Sequence, residues 1–131
     1  MRQVLEEIEA RGKPVLGATE PVTELKVTDE VDGTGDEVTP GATVTAHYVG
    51  VSASTGAQFD ASWDRGAPIQ FPLDGVIRGW SEGLVGMKVG GRRHLVIPSH
   101  MAYGEHPPPG AGIAPGETLV FTVDLVDVTW R

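Results

Sequence analysis

The sequence predicts an α+β domain in which one short helix lies across a curved antiparallel sheet. Three observations predict it. From Val22 onward most segments alternate apolar and polar residues with the two-residue period of strands. Only one internal segment, residues 76–86, has helical spacing. The 18 glycines and 10 prolines among 131 residues supply many turns between short elements without reaching the level of a low-complexity chain. A chain of this length, 40% hydrophobic, can bury one core without disulfide or metal staples.

In chain order, RQVLEEIEAR (residues 2–11) places Val4, Leu5 and Ile8 on one side of a helix too short to be stable alone in water. Pro14 and Pro21 punctuate the next ten residues. Residues 1–20 therefore read as an N-terminal arm and linker, with a partner-binding helix as the alternative, and residues 21–131 as the domain proper. In ATVTAHYVG (42–50), Val44, Ala46 and Tyr48 share one face and Thr43, Thr45 and His47 the other, which predicts a half-buried strand with Tyr48 inside. IQFPL (69–73) reads as a further strand. In VIRGWSEGLVG (76–86), Ile77, Trp80 and Leu84 fall on one helix face, while Gly79 and Gly83 weaken the helix and suggest close approach to the sheet.

RRHLVIP (92–98) is another strand, along which Arg92 and Arg93 point to opposite faces. The basic cluster of Lys88, Arg92, Arg93 and His94 is expected to be a solvated turn. YGEHPPPGAGIAPGET (103–118) is a long loop, and loops of that length in compact domains tend to be functional lids. TLVFTVDLV (118–126) sets Leu119, Phe121, Val123 and Leu125 against Val120, Thr122 and Asp124, the strongest alternation in the chain.

Composition excludes several functions. A formal charge of −8 repels phosphate backbones, so no nucleic-acid partner is expected. Without cysteine there is no disulfide, thiol nucleophile or cysteine-ligated zinc. Glu6, Glu7 and Glu9 interrupt the N-terminus where a signal peptide needs an apolar run, and no segment approaches membrane-spanning length, so a cytoplasmic protein without membrane contact is expected. His47, His94, His100 and His106 lack paired helical spacing with a carboxylate, VGG (89–91) lacks the Lys-Ser/Thr of a phosphate loop, and no Gly-x-Ser-x-Gly elbow exists. Neither a metal nor a cofactor is expected. What remains is a set of aromatics with one carboxylate: Tyr48, Phe59, Asp60, Phe71, Trp80, Tyr103 and Phe121. By residue type alone these fit a hydrophobic core as well as a pocket, and Asp60 fits a turn as well as a hydrogen-bond acceptor.

Five stretches, in order and at matching spacing across residues 22–128, resemble the FKBP-type peptidyl-prolyl isomerases: VTAHYVG (44–50), GAQFDAS (56–62), VIRGWSEGLVGMKVGGRRHLVIP (76–98), AYG (102–104) and PGETLVFTVDL (115–125). The resemblance implies a five- to six-stranded antiparallel half-barrel around one short helix, and cofactor-free cis/trans isomerisation of Xaa-Pro bonds. It implies Trp80 as the floor of an apolar cradle for the proline ring, with Ile69, Phe71, Val76, Ile77 and Ile113 as further substrate-binding residues. Tyr48, Phe59, Asp60, Tyr103 and Phe121 would be the catalytic set, Asp60 orienting Tyr48, with the Ile77 N–H and the Tyr103 hydroxyl binding ligand carbonyls.

Proline-containing peptides, unfolded or folding proteins, and macrolides of the tacrolimus or rapamycin type are the implied partners of a monomer. A non-catalytic proline-peptide or partner-binding module of the same fold is the alternative. The chain departs from the family pattern at Ile69, where many members carry Phe, in the short rim between Leu73 and Val76, and at Met101 before AYG. It departs also in HPPPGAGI, a lid too short for an inserted chaperone domain, where Ile113 matches better than His106.

Overall fold

The computed structural model describes residues 2–130. Its elements are α1 (Arg2–Arg11), β1 (Lys26–Val31), β2 (Thr43–Ser52), β3 (Gln58–Ala61), β4 (Ile69–Pro72), α2 (Arg78–Gly83), β5 (Arg92–Ile97) and β6 (Leu119–Thr129). All strand pairings are antiparallel, in the order β1-β5-β6-β2-β3, with β4 also against β2. The sheet curves without closing. Its long strand β2 pairs with β6 along one edge, while its other edge is divided: Thr43–Ala46 face β4 and Val49–Val51 face β3. Tyr48 stands at the gap between the two short partners.

The concave face forms the core. Val44, Ala46 and Tyr48 of β2 meet Leu119, Phe121, Val123 and Leu125 of β6 and Leu95 and Ile97 of β5, and all close on Trp80 and Leu84 of the α2 segment. Gly79 is required here: a Cβ on it would overlap the Ile97 side chain, so only glycine lets α2 lie this close to β5. One bulge changes the alternation read from sequence. Thr45 pairs with Asp127 but Ala46 with Leu125, leaving Val126 extra, so the inward series of β6 resumes at Val128.

The convex face departs from the half-buried strand that alternation predicts. His47 is 1% exposed and Asp124 0%, because α1 and the segment after it lie across this face. Ile8 is fully buried, and Arg11 and Arg92 both bond Asp124 Oδ1, at 3.2 and 2.8 Å. Further along, Leu16 and Trp63 pack on Val49, Val51, Ala53, Ala61 and Val120, and the Thr19 N–H donates to the Ala53 carbonyl at 2.9 Å. The expected solvated basic turn is also corrected. The Arg93 guanidinium is buried, donating to the carbonyls of Gly83 and Val85 at the end of α2 and forking onto Asp29. A cation at a helix C-terminus satisfies carbonyls that lack partners within the helix.

Candidate active site

The concave side of the sheet opens into a cavity of about 460 Å³ whose floor is Trp80. This indole is 4% exposed and meets three other rings edge-on: Tyr48 at 5.4 Å, Phe71 at 4.9 Å and Phe121 at 5.4 Å between centroids. Phe59 stands edge-on to Phe121 at 5.5 Å. Such edge-to-face contacts are favoured by the ring quadrupoles and fix the rings relative to one another. The result is a preformed aromatic pit.

Local sequence explains each wall. Phe59 and Asp60 are consecutive, so a regular strand would send them to opposite faces. They both reach the cavity because Gly50 pairs with Asp60 and Val51 with Gln58, which leaves Phe59 as a bulged residue. Gly50 is the glycine this arrangement needs, since a Cβ there would lie 2.6 Å from Phe121 Cε1 and 2.7 Å from Phe59 Cζ. Gly75 and Val76, after the 3₁₀ turn Leu73–Gly75, form one rim together with Ile77. Ile77 is the N-cap residue of α2, where its N–H precedes the first helical turn and has no intrahelical acceptor. Tyr103, 37% exposed, forms the opposite rim at the start of the lid, whose base is closed by the Gly116 N–H donating to the Gly104 carbonyl at 2.8 Å.

Nine of the eleven residues implied by resemblance line this cavity, and Gly75 joins them. Ile69 and Ile113 do not line it. Both pack on the core outside the pit, Ile69 in register with Ala46 on β4 and Ile113 in the lid.

Sequence reading missed Arg65. It sits in the 3₁₀ turn Ser62–Arg65, which Gly66 terminates at φ 78°. Arg65 Nη1 donates to Asp60 Oδ1 at 2.7 Å and Nη2 to the Tyr48 hydroxyl at 2.7 Å, while that hydroxyl donates to Asp60 Oδ2 at 2.6 Å. A three-membered ring of hydrogen bonds therefore holds the phenol at the pit wall. Burial and the Asp60 carboxylate push the Tyr48 hydroxyl up to about 12. Burial alone would raise Asp60, but hydrogen bonds from Arg65 and Tyr48 outweigh it and hold the carboxyl below its ordinary value. The available signal was DAS-x-DRG itself, where the cation Arg65 follows Asp60 by five residues, yet no periodicity marks it.

Among the described residues no three His, Asp or Glu side chains gather as a metal site, and no helix is long and apolar enough to cross a membrane. Fold and site together define an open half-barrel whose concave face holds an aromatic pit with one ion-paired carboxylate in its wall.

Comparison with known proteins makes this particular. Residues 35–126 match the model of the FKBP-type peptidyl-prolyl cis-trans isomerases. The chain is 55% identical over 111 residues to the FK506-binding protein of Streptomyces anulatus, covering 83% of this chain and 90% of that one. It is 50% identical over 91 residues to the peptidyl-prolyl cis-trans isomerase FPR2 of Saccharomyces cerevisiae, covering 68% and 67%. The crystal structure of FkpA from Escherichia coli superposes with a TM-score of 0.74 at 38% identity, over 98% of this chain and 58% of that longer one. The chain belongs to the FKBP-type peptidyl-prolyl cis-trans isomerases, and the half-barrel is the fold its motifs imply.

Proposed function

We propose that the cradle accelerates exchange of Xaa-Pro bonds in protein chains by seating the proline ring on Trp80, and that FK506-type macrolides occupy the same pit. The observation that carries this reading is the preformed ring of Tyr48, Phe71 and Phe121 around a buried Trp80. An Xaa-Pro bond isomerises slowly, over tens to hundreds of seconds uncatalysed, because rotation breaks amide conjugation. The planar amide is charge-separated and well hydrated, whereas the twisted amide is less polar. A site that excludes water and presents apolar walls disfavours the planar form relative to the twisted one, and only such differential binding raises turnover. No proton or covalent bond need move.

In this mechanism Phe59, Phe71, Val76 and Phe121 grip the ring, the Ile77 N–H and the Tyr103 hydroxyl hold flanking carbonyls, and Asp60 with Arg65 keeps Tyr48 facing the amide. Because both shifts move away from neutrality, Tyr48 stays protonated and Asp60 ionised throughout the middle of the pH range. Turnover is expected to be flat from about pH 7.5 to about 9.5, since no group in the pit has its ordinary pKa between those limits and none is asked to transfer a proton. The corresponding stability follows from the lowered Asp60 value: it is complete above the ordinary Asp range and is lost as pH falls through the depressed one.

The test is magnetisation transfer on a short Leu-Pro peptide with catalytic protein, repeated with added macrolide. Acceleration that stoichiometric macrolide abolishes supports both parts. Macrolide binding without acceleration would mean a proline-gripping module instead, and absence of both would mean that the pit is closed to these ligands.

A further inference from the structure

The convex face carries a buried polar chain that the isomerase mechanism does not use. Tyr48 lies where β4 has ended and β3 has not begun, so this edge of β2 offers no strand to its backbone. The hydroxyl of Ser62 takes that place: the Tyr48 N–H donates to Ser62 Oγ at 2.7 Å, and Oγ lies 3.3 Å from the Tyr48 carbonyl oxygen. Ser62 is wholly buried and is held in turn by His47, whose Nδ1 is 2.9 Å from Oγ. His47 stacks on Trp63 at 4.3 Å, and its Nε2 meets Glu9 Oε2 of α1 at 3.3 Å.

The proton count fits this chain. With Glu9 ionised, Nε2 carries a hydrogen toward it, and Nδ1 then accepts the Ser62 hydroxyl, which still accepts from the Tyr48 N–H. We propose that Glu9, His47 and Ser62 are positioning residues for Tyr48, so that α1 supports the catalytic wall through the sheet. The 3₁₀ turn Ser62–Arg65 then grips Tyr48 at both ends, Ser62 at the backbone and Arg65 at the phenol. This rests on the isomerase reading of the cradle, and it gives the N-terminal helix a function within the chain itself.

The test uses the full chain with Glu9→Ala, Ser62→Ala and Ser62→Thr, following peptide exchange, the midpoint of thermal unfolding and the Tyr48 amide resonance. Loss of one buried hydrogen bond corresponds to about a tenfold effect, so Ser62→Ala is expected to lower kcat/KM by about that factor, mainly through kcat. Ser62→Thr, which keeps the hydroxyl, is expected to recover it. Glu9 is 44% exposed, so Glu9→Ala should fold normally, shift the Tyr48 amide resonance and lower turnover by a smaller factor.

Parental turnover in both alanine variants overturns the proposal, and so does a loss in Ser62→Ala that Ser62→Thr leaves in place while restoring the thermal midpoint. If Ser62→Ala does not fold, the Glu9→Ala result decides. If the parent itself fails to accelerate exchange, the isomerase reading falls separately. The Tyr48 resonance in Glu9→Ala then tests the positioning alone, and an unmoved resonance overturns it.

Discussion

Trp80→Ala should lower folding stability by about 3–5 kcal/mol in urea denaturation and reduce isomerisation of a Leu-Pro peptide to the uncatalysed rate. The size of the effect reflects the several roles of the indole. It is almost fully buried, closes the concave face of the sheet, and supports three aromatic walls at once. Its Nε1 has no hydrogen-bond partner within the described structure, so truncation forfeits no intramolecular hydrogen bond. The loss is burial plus the cavity left behind. Because small domains are stable by only about 5–15 kcal/mol, this change should leave a weakly folded protein rather than a merely inactive one. Trp80→Leu, which refills part of the space, should recover more stability than activity, since a branched aliphatic chain offers no flat floor for a proline ring. A variant that is destabilised by less than about 1 kcal/mol, a loss in the range of ordinary surface changes, would remove Trp80 from the centre of the core.

The architecture was legible in the sequence where one physical rule acts alone. Alternation along β2 and β6 identified the concave face, and Ile77, Trp80 and Leu84 identified the inward side of α2, because burial on one face imposes those periods. Where two rules compete, sequence reading stopped short. The bulge at Phe59 overrides alternation and turns two consecutive residues to the same cavity, while the bulge at Val126 moves the inward series by one position. The convex face read as solvent-exposed because its covering, α1 and Leu16, lies far away along the chain and is joined to it by no local pattern. Arg92 and Arg93 read as a surface cluster for the same reason: their partners, Asp124, Asp29 and the end of α2, are brought to them only by the fold. Most of the pit itself was reached through family motifs, since an aromatic wall and an aromatic core residue have the same composition. Arg65, which completes the hydrogen-bonded ring at Tyr48, follows no period at all.

Asp60→Val should lower kcat/KM by about tenfold or more while changing folding stability by less than about 1 kcal/mol. Asp60 and Arg65 have side chains 42% and 49% exposed, so their ion pair is well screened and its loss lets Arg65 turn to water at little cost. Valine also occupies the partly buried site without a charge to desolvate. Tyr48 bears the consequence: its hydroxyl loses the acceptor at 2.6 Å, and one of the two contacts fixing the phenol at the pit wall disappears. Activity and stability therefore separate at this residue, whereas at Trp80 they fall together. Asp60→Asn divides the effect further. Its amide keeps an acceptor oxygen for the Tyr48 hydroxyl but removes the charge that draws Arg65, so recovery of turnover in Asp60→Asn assigns the role to orientation, and turnover as low as in Asp60→Val assigns it to the charge. Equal losses of activity and stability in Asp60→Val would instead reduce the carboxylate to a structural turn residue after Phe59.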